Sequence, residues 1–513
     1  MRLLLLDRYP SRPAAANSRR LPLRKLAMRA PLVLASVLAL AVSLALAGCG
    51  VTDSSPSPDP AEPRRIEAAW VQLVGDHRAM VRAIVASPDR AASSSVDVAM
   101  CPPLVADGVA QTMTLRAAPG IAPARPVVAG ADAAPAAFPV AVCEAMLPPG
   151  ASEASVAGRV LPLPRQAPKR VLVIGDTGCR MKHGAPWQAC NDTRAWPFAT
   201  IAARAAAMAP DLVIHVGDYH YRESPCPEGL AACAGSPSGY GWTAWHADFF
   251  APAAPLLAAA PWVMLRGNHE ECRRAGQGWY RFLDPRPWRQ GQTCDDAAND
   301  GRANHGEPYA VDLGRGTQLV VFDSAAAGMR ALGADDSRRT AYTSEFDKVA
   351  ALAARPGIRN TWFASHHPVL AFIPEPGDDK PTGNPALQSV MSALFGPAWY
   401  PPGITLALHG HAHSFQAVDF ASGHPAALVS GNAGDMLDEA LPPMAGLAPA
   451  PGTQIARMTH GGHFGFAMLE RHDSADGNDE WQANVYDMDG RLLTRCALAG
   501  RRLACDRTGP LQR

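Results

Sequence analysis

The chain has 513 residues, more than a single domain usually holds, and a hydrophobic content of 48% excludes global disorder. Lys plus Arg and Asp plus Glu both number 47, so no net field attracts a polyanion and nucleic acid is not expected as a main partner.

At the N-terminus, Arg24, Lys25 and Arg29 precede an apolar run from Ala30 to Ala47, broken only by Pro31 and two serines. A basic flank, an apolar stretch and small residues before a cleavage point form a secretory signal. The run ends in Leu46-Ala47-Gly48-Cys49, which resembles the bacterial lipoprotein signal. Residues 1–48 are therefore expected to be removed and Cys49 to be acylated, anchoring the chain to a lipid membrane of the bacterial cell envelope. A transmembrane anchor is the competing reading, because about 18 apolar residues is near the lower limit for a span. The proline-studded stretch Val51–Pro63 cannot form regular structure, so residues 49–64 read as a disordered tether.

Setting Cys49 aside leaves ten of the eleven cysteines. In an oxidising compartment the neighbour pairings 101/143, 179/190, 226/233, 272/294 and 496/505 are expected; a zinc site is a weak rival without Cys-x-x-Cys pairs. Residues 65–163 carry short apolar runs interrupted by Pro, Gly and Ser, which predicts a small β-rich accessory domain, with a helix around Ala79–Val85 as an equal competitor.

From about residue 164 to 513 the pattern is that of an α/β catalytic domain. Val171–Ile174, Asp211–Val216, Trp262–Leu265, Gln318–Phe322, Thr361–Ala364 and Ile404–Leu408 read as buried strands, and Ala195–Met208 has helical spacing. The tail from Trp481 to Leu503 reads as late strands closed by Cys496 and Cys505.

Five of these strands end in metal-ligand residue types: Gly175-Asp176-Thr177-Gly178, Gly217-Asp218-Tyr219-His220-Tyr221, Gly267-Asn268-His269-Glu270, Ser365-His366-His367-Pro368 and Gly410-His411-Ala412-His413. Strand ends and the loops after them are where open α/β sheets place ligand sites. A lone Gly-Asp there is an ordinary turn with a capping aspartate. Two imidazoles at i and i+2, as in His411 and His413, face one side of an extended chain and can share a site. Five such clusters in one domain outweigh the separate turn readings. His215 reads as a core imidazole, His220 as pointing away, Glu270 as an orienting group, and Arg180 and Arg266 as either phosphate contacts or loop charges.

In this order the blocks resemble the calcineurin-like metallophosphatase superfamily. Gly178, where many members carry His, and Tyr221, three residues after its Asp, resemble the purple acid phosphatases. The resemblance implies a four-layer α/β/β/α sandwich and two metal ions. Asp176, Asp218, Tyr221 and His413 would hold the first ion, and Asp218, Asn268, His366 and His411 the second, with Asp218 bridging. His269 corresponds to the family histidine that helps protonate the leaving group, whereas the family's further pocket histidines have no clear counterpart around Ala371–Gly383. The implied reaction is hydrolysis of a small phosphorylated substrate, as in an acid phosphatase acting on monoesters, with a metal-bridging hydroxide as nucleophile. A phenol with an ordinary pKa near 10 ligates well only when a strongly charged ion strips its proton, which points to Fe(III) in the first site beside divalent Fe, Zn or Mn. A phosphodiesterase or sphingomyelinase-like enzyme using the same centre is the close alternative, and a non-catalytic binding lipoprotein the more distant one.

Overall fold

A computed structural model describes residues 65–87, 100–125, 134–473 and 479–511. The expected signal, the acylation of Cys49 and the tether lie outside the described residues.

The strand Arg170–Ile174 shows why the chain layers as it does. Its alternate residues face two different cores: Leu172 and Ile174 pack into one apolar cluster, Val171 and Val173 into another. A strand buried on both faces must be apolar throughout, which is how this one is written. The same division recurs in the second sheet, where Val320 and Phe322 face one cluster while Leu319 and Val321 join the cluster of Val171. That shared cluster fills the space between the two sheets. The outer face of the first sheet is covered by the helices Phe198–Ala207, Ala251–Leu257 and Gly276–Phe282, and that of the second by Ser337–Ala353 and Pro385–Phe395. The result is the four-layer α/β/β/α sandwich.

The first sheet has eleven strands and the second eight. Parallel neighbours form the centre of each: Arg170–Ile174, Leu212–His215 and Trp262–Met264 in the first, and Thr317–Phe322, Asn360–Ser365, Ile404–His409 and Ala426–Ser430 in the second. Parallel pairing brings the C-terminal ends of these strands together, so the five ligand-rich loops emerge at one edge.

The described residues between 65 and 163 are β-rich, and Ala79–Ala86 is a strand rather than a helix. These strands do not stand apart. Ile66–Leu73 pairs in parallel with Trp262–Met264, and Ala79–Ala86, Val140–Met146 and Thr114–Ala117 continue the same eleven-stranded sheet. Two buried arginines tie the segment in further. Arg82 Nη1 donates to Phe282 O at 2.6 Å, Arg116 Nη2 donates to Tyr280 O at 2.8 Å, and both lie beside Glu144. They satisfy carbonyls at the end of the helix Gly276–Phe282 that no further helical turn could reach. This helix follows the Gly267–Glu270 loop, so the N-terminal strands brace one wall of the site.

All five expected disulfides are present: 101–143, 179–190, 226–233, 272–294 and 496–505. Such a set belongs to the extracellular or periplasmic space. Among the described residues, no helix is long and apolar enough to cross a membrane.

Trp70, on the first N-terminal strand, is fully buried, with its ring 5.6 Å from that of Phe250. Trp70→Ala is expected to lower unfolding stability by about 3–5 kcal/mol, as for other buried tryptophans cut to alanine. Urea unfolding followed by circular dichroism checks this; a loss below about 1 kcal/mol would show that the N-terminal strands are dispensable to the sandwich.

Candidate metal centre

Four of the ligand-bearing blocks hold a glycine just past the strand, Gly175, Gly217, Gly267 and Gly410, where the chain closes on its neighbour. Gly217 has φ +104°, and a Cβ there would lie 2.6 Å from His366 Nδ1. A Cβ at Gly178 would lie 2.8 Å from Tyr221 N and 2.9 Å from Asp248 Oδ2. Just past these strand ends, Asp176, Asp218 and His411 all adopt the left-handed region, with φ of 55°, 59° and 68°. Each such residue costs on the order of 1–3 kcal/mol and persists where surrounding contacts fix it.

Those contacts come from carboxylates. Glu270 accepts from the backbone N–H of Asp218 (3.1 Å), Tyr219 (2.9 Å), His220 (3.2 Å) and Gly267 (3.1 Å), which locks the second block to the third. Asp248 accepts from the N–H of Cys179, Tyr221 and Arg222 at 2.7–3.0 Å and from Arg222 Nε at 2.6 Å, joining the first block to the second. Asp438 accepts from His413 N at 2.7 Å, and Asp176 from His411 N at 3.1 Å.

The predicted ligand side chains converge into two groups that share Asp218. In the first, the Tyr221 hydroxyl lies 3.1 Å from Asp176 Oδ1, 2.9 Å from Asp218 Oδ2 and 3.0 Å from His413 Nε2. In the second, Asn268 Oδ1 lies 3.0 Å from His366 Nε2 and 2.9 Å from His411 Nδ1, and His366 Nε2 is 3.1 Å from Asp218 Oδ2. Potential ligand atoms of Asp218, His366 and His411 are all within 4.8 Å of one another.

This donor set fits cations. The phenol of Tyr221 has one proton for three neighbouring acceptors, so the remaining contacts set lone pair against lone pair. His366 Nδ1 lies 2.9 Å from Val216 O, and His413 Nδ1 2.9 Å from Met436 O. With those hydrogens donated to carbonyls, both Nε2 lone pairs point at the cluster, the orientation that metal-ligating imidazoles take from their outer partners. Without a metal ion the groups can satisfy one another only with extra protons. Against the cost of burial, Asp218 raises His366 to about 9. Against the same cost, Asp438 and Asp435 raise His413 to about 10. Burial, reinforced by Asp218 and Asp176, pushes the Tyr221 phenol well above its ordinary value.

His269 flanks the cluster. Its ring centroid is 3.8 Å from that of Tyr221, and its Nδ1 is 2.9 Å from Glu223 Oε1. Arg274 Nη2 lies 2.6 Å from Nε2 and also pairs with Glu223. Burial, then Arg274, depress His269 to about 3.

Three other expectations are resolved by contacts. His215 is a core imidazole, its Nε2 3.0 Å from Thr177 Oγ1 and its ring stacked on Tyr219. His220 turns away, with Nε2 2.9 Å from Gly239 O. Arg266 is buried against Glu270 O, Ala303 O and Asp323, so it is not available to a phosphate.

Sequence reasoning did not single out Glu223, Arg274, Asp248, Asp435 or Asp438. A signal existed for Asp435: Gly431-Asn432-Ala433-Gly434-Asp435 follows another buried strand end, Ala426–Ser430. Its carboxylate pairs with Arg180 and lies 3.3 Å from His413 Nδ1.

A Cβ at Gly267 would overlap Asp218 Oδ1. Gly267→Ala is therefore expected to bind metal at least about tenfold more weakly while remaining folded, because displacing a first ligand or its support typically costs that much. Metal analysis after dialysis against graded chelator checks this; wild-type retention would show that the Asp218 position is not critical.

Residues 169–415 match the family model for calcineurin-like phosphoesterases. No curated protein matches the chain by sequence. Among solved structures, PhoD is 11% identical over 87% of this chain and 92% of its own, with a TM-score of 0.51. The purple acid phosphatase PPD1 from yellow lupin (Lupinus luteus) seeds is 13% identical over 83% of this chain and 72% of its own, with a TM-score of 0.48. The PhoD likeness speaks to fold alone. Residues 169–415, which carry the five strand-end blocks, the last ending at His413, thus match a calcineurin-like phosphoesterase domain, that of a metal-dependent hydrolase of phosphoric esters.

Proposed function

We propose that this enzyme is a phosphomonoesterase of the purple acid phosphatase type, with Asp176, Asp218, Tyr221 and His413 holding Fe(III) and Asp218, Asn268, His366 and His411 holding a divalent Fe, Zn or Mn ion. The observation that carries this reading is the buried Tyr221 hydroxyl within 3.1 Å of two carboxylates and an imidazole. A phenol in such surroundings releases its proton only to a strongly charged cation. Two ions so held supply Lewis-acid charge at the phosphoryl oxygens and an activated water.

The chain's own groups do the rest. Asp218 fixes the separation of the two groups of ligands. His269, beside Tyr221, would give a proton to the leaving oxygen once substrate displaces Arg274 from its Nε2. In the free enzyme burial and Arg274 keep its ring neutral, so in this reading it gains its proton together with the anionic substrate, and Glu223 stabilises the imidazolium. Acylation at Cys49 would tether the enzyme to the outer membrane or the periplasmic face, where small phosphate esters are met outside the cytoplasm.

The test is hydrolysis of p-nitrophenyl phosphate and its bis-ester across pH, by protein starting at Val51 and loaded with iron plus zinc or manganese. Turnover of the monoester is expected, with a fall of about 10³-fold or more in Asp218→Asn, the scale seen when a principal source of transition-state charge stabilisation is removed. The iron-loaded protein should also show a visible phenolate-to-Fe(III) absorption that is absent in Tyr221→Phe. Turnover of the diester alone would assign the enzyme to the diesterases, and no visible band in loaded, active wild type would refute Fe(III) on Tyr221.

A further inference from the structure

The loop between the strands Ala426–Ser430 and Ile455–Gly461 has two roles. Its first part carries the carboxylates that hold His413. Asp438 accepts from His413 N at 2.7 Å, and Asp435 lies 3.3 Å from His413 Nδ1. Its next part, from Leu437 to Met444, forms a wall of a cavity of about 790 Å³. The strand Ile455–Gly461 and the segment Thr508–Leu511 form another wall. Ser414, one residue past His413, lines the same cavity, and so does Asp438. Cavity and candidate centre therefore share the groups that flank His413.

The lining is mainly apolar, with Leu441, Pro442, Met444, Met458 and Leu511 contributing side chains. Of its charged groups, Asp438 is engaged with His413, while Glu439 and Arg457 are exposed. One polar side chain is of a different kind. His460 lines the cavity and is only 9% exposed, yet among the described residues nothing bonds to its imidazole. Its direction is fixed by register. His460 stands opposite Gln416 and Met458 opposite Val418, so His460 and Met458 project from one face of the sheet. A buried polar group without a partner is costly unless one arrives. Cavities of about 300–1,000 Å³, mostly apolar with a few polar groups, are the usual form of a small-molecule site.

We propose that this cavity takes the organic group of the substrate ester, an alkyl chain or ring with a hydrogen-bonding function for His460. The phosphoryl group would stay at the metal centre while the organic group extends past His413 into the cavity. This rests on the phosphoesterase reading of that centre and adds a substrate class to it: amphiphilic phosphate esters rather than those of small, wholly polar alcohols.

The experiment measures, by calorimetry on the metal-loaded protein, the binding of methylphosphonate, hexylphosphonate and 6-hydroxyhexylphosphonate, whose carbon–phosphorus bonds resist hydrolysis. Each methylene withdrawn from water strengthens binding about three- to fourfold, so with about three methylenes in the cavity hexylphosphonate should bind wild type about thirtyfold or more tighter than methylphosphonate. A Leu441→Asn, Met444→Gln double variant should cut that preference by about fivefold or more, with methylphosphonate affinity and metal content unchanged. His460→Leu should not weaken hexylphosphonate but should weaken the hydroxyhexyl compound by about three- to tenfold, the scale of one neutral hydrogen bond. No preference for the longer chain in wild type, or a preference untouched in the double variant, would overturn the proposal. Equal effects of His460→Leu on the two long phosphonates would overturn the polar contact. Turnover of p-nitrophenyl phosphate separates this proposal from the proposed function. Wild type that hydrolyses it without any chain-length preference refutes the cavity assignment alone. Wild type that prefers hexylphosphonate but turns over neither p-nitrophenyl ester refutes the proposed function and leaves the cavity as a ligand site.

Discussion

The carboxylate of Asp218 faces two sets of partners at once. Its Oδ2 lies 2.9 Å from the Tyr221 hydroxyl and 3.1 Å from His366 Nε2, while its Oδ1 accepts from His269 N at 2.8 Å. One side chain therefore joins the two groups of candidate ligands and also anchors the loop that carries Asn268 and His269. Its backbone pays for this with a left-handed conformation, and its burial removes water as an alternative partner. A buried carboxylate in that position needs cationic company, from protonated imidazoles or from metal ions. The rest of the local structure serves to keep it there.

That support is layered. Glu270 draws four backbone N–H groups onto one carboxylate, and Asp248 draws three more and the guanidinium of Arg222. Neither side chain is among the candidate ligands. Both convert loops, which would otherwise be the most mobile part of an α/β fold, into fixed platforms. Further out, the helix Gly276–Phe282 is held from behind by Arg82 and Arg116 of the N-terminal strands. The chain of supports thus runs from the edge of the eleven-stranded sheet to the ligand loops through hydrogen-bonded groups.

Much of this was legible in the residues themselves. Strands buried on both faces, such as Val171–Ile174 and Leu406–Leu408, announce themselves as unbroken apolar runs, and the ligand types cluster at their ends. Neighbour pairing of the cysteines was legible because each joins the next in the chain, four of the bridges across 7–22 residues and Cys101–Cys143 across 42. The N-terminal strands were harder. Ala79–Ala86 is buried along almost its whole length, so it lacks the alternation that separates strand from helix, and one of its two partners, Val140–Met146, comes from distant sequence. Nothing local could say that Ile66–Leu73 would pair with Trp262–Met264 and extend the catalytic sheet. The supporting carboxylates were hidden for a similar reason. Asp248 lies in a helical segment among aromatic residues, and its role appears only when the loops bearing Cys179 and Tyr221 fold onto it. Arg180 and Arg266 looked alike in sequence, yet Arg266 is sealed beneath Glu270 and Arg180 stays partly exposed beside His413.

In the proposed reading, two metal ions would sit on either side of Asp218. Anomalous X-ray diffraction from crystals of the iron- and zinc-loaded protein, recorded at both absorption edges, addresses it most directly. Two peaks about 3.5–4 Å apart are expected, an iron peak amid Asp176, Tyr221 and His413 and a second peak amid Asn268, His366 and His411, with the Asp218 carboxylate between them. A single peak, or two peaks that do not share Asp218, would contradict it.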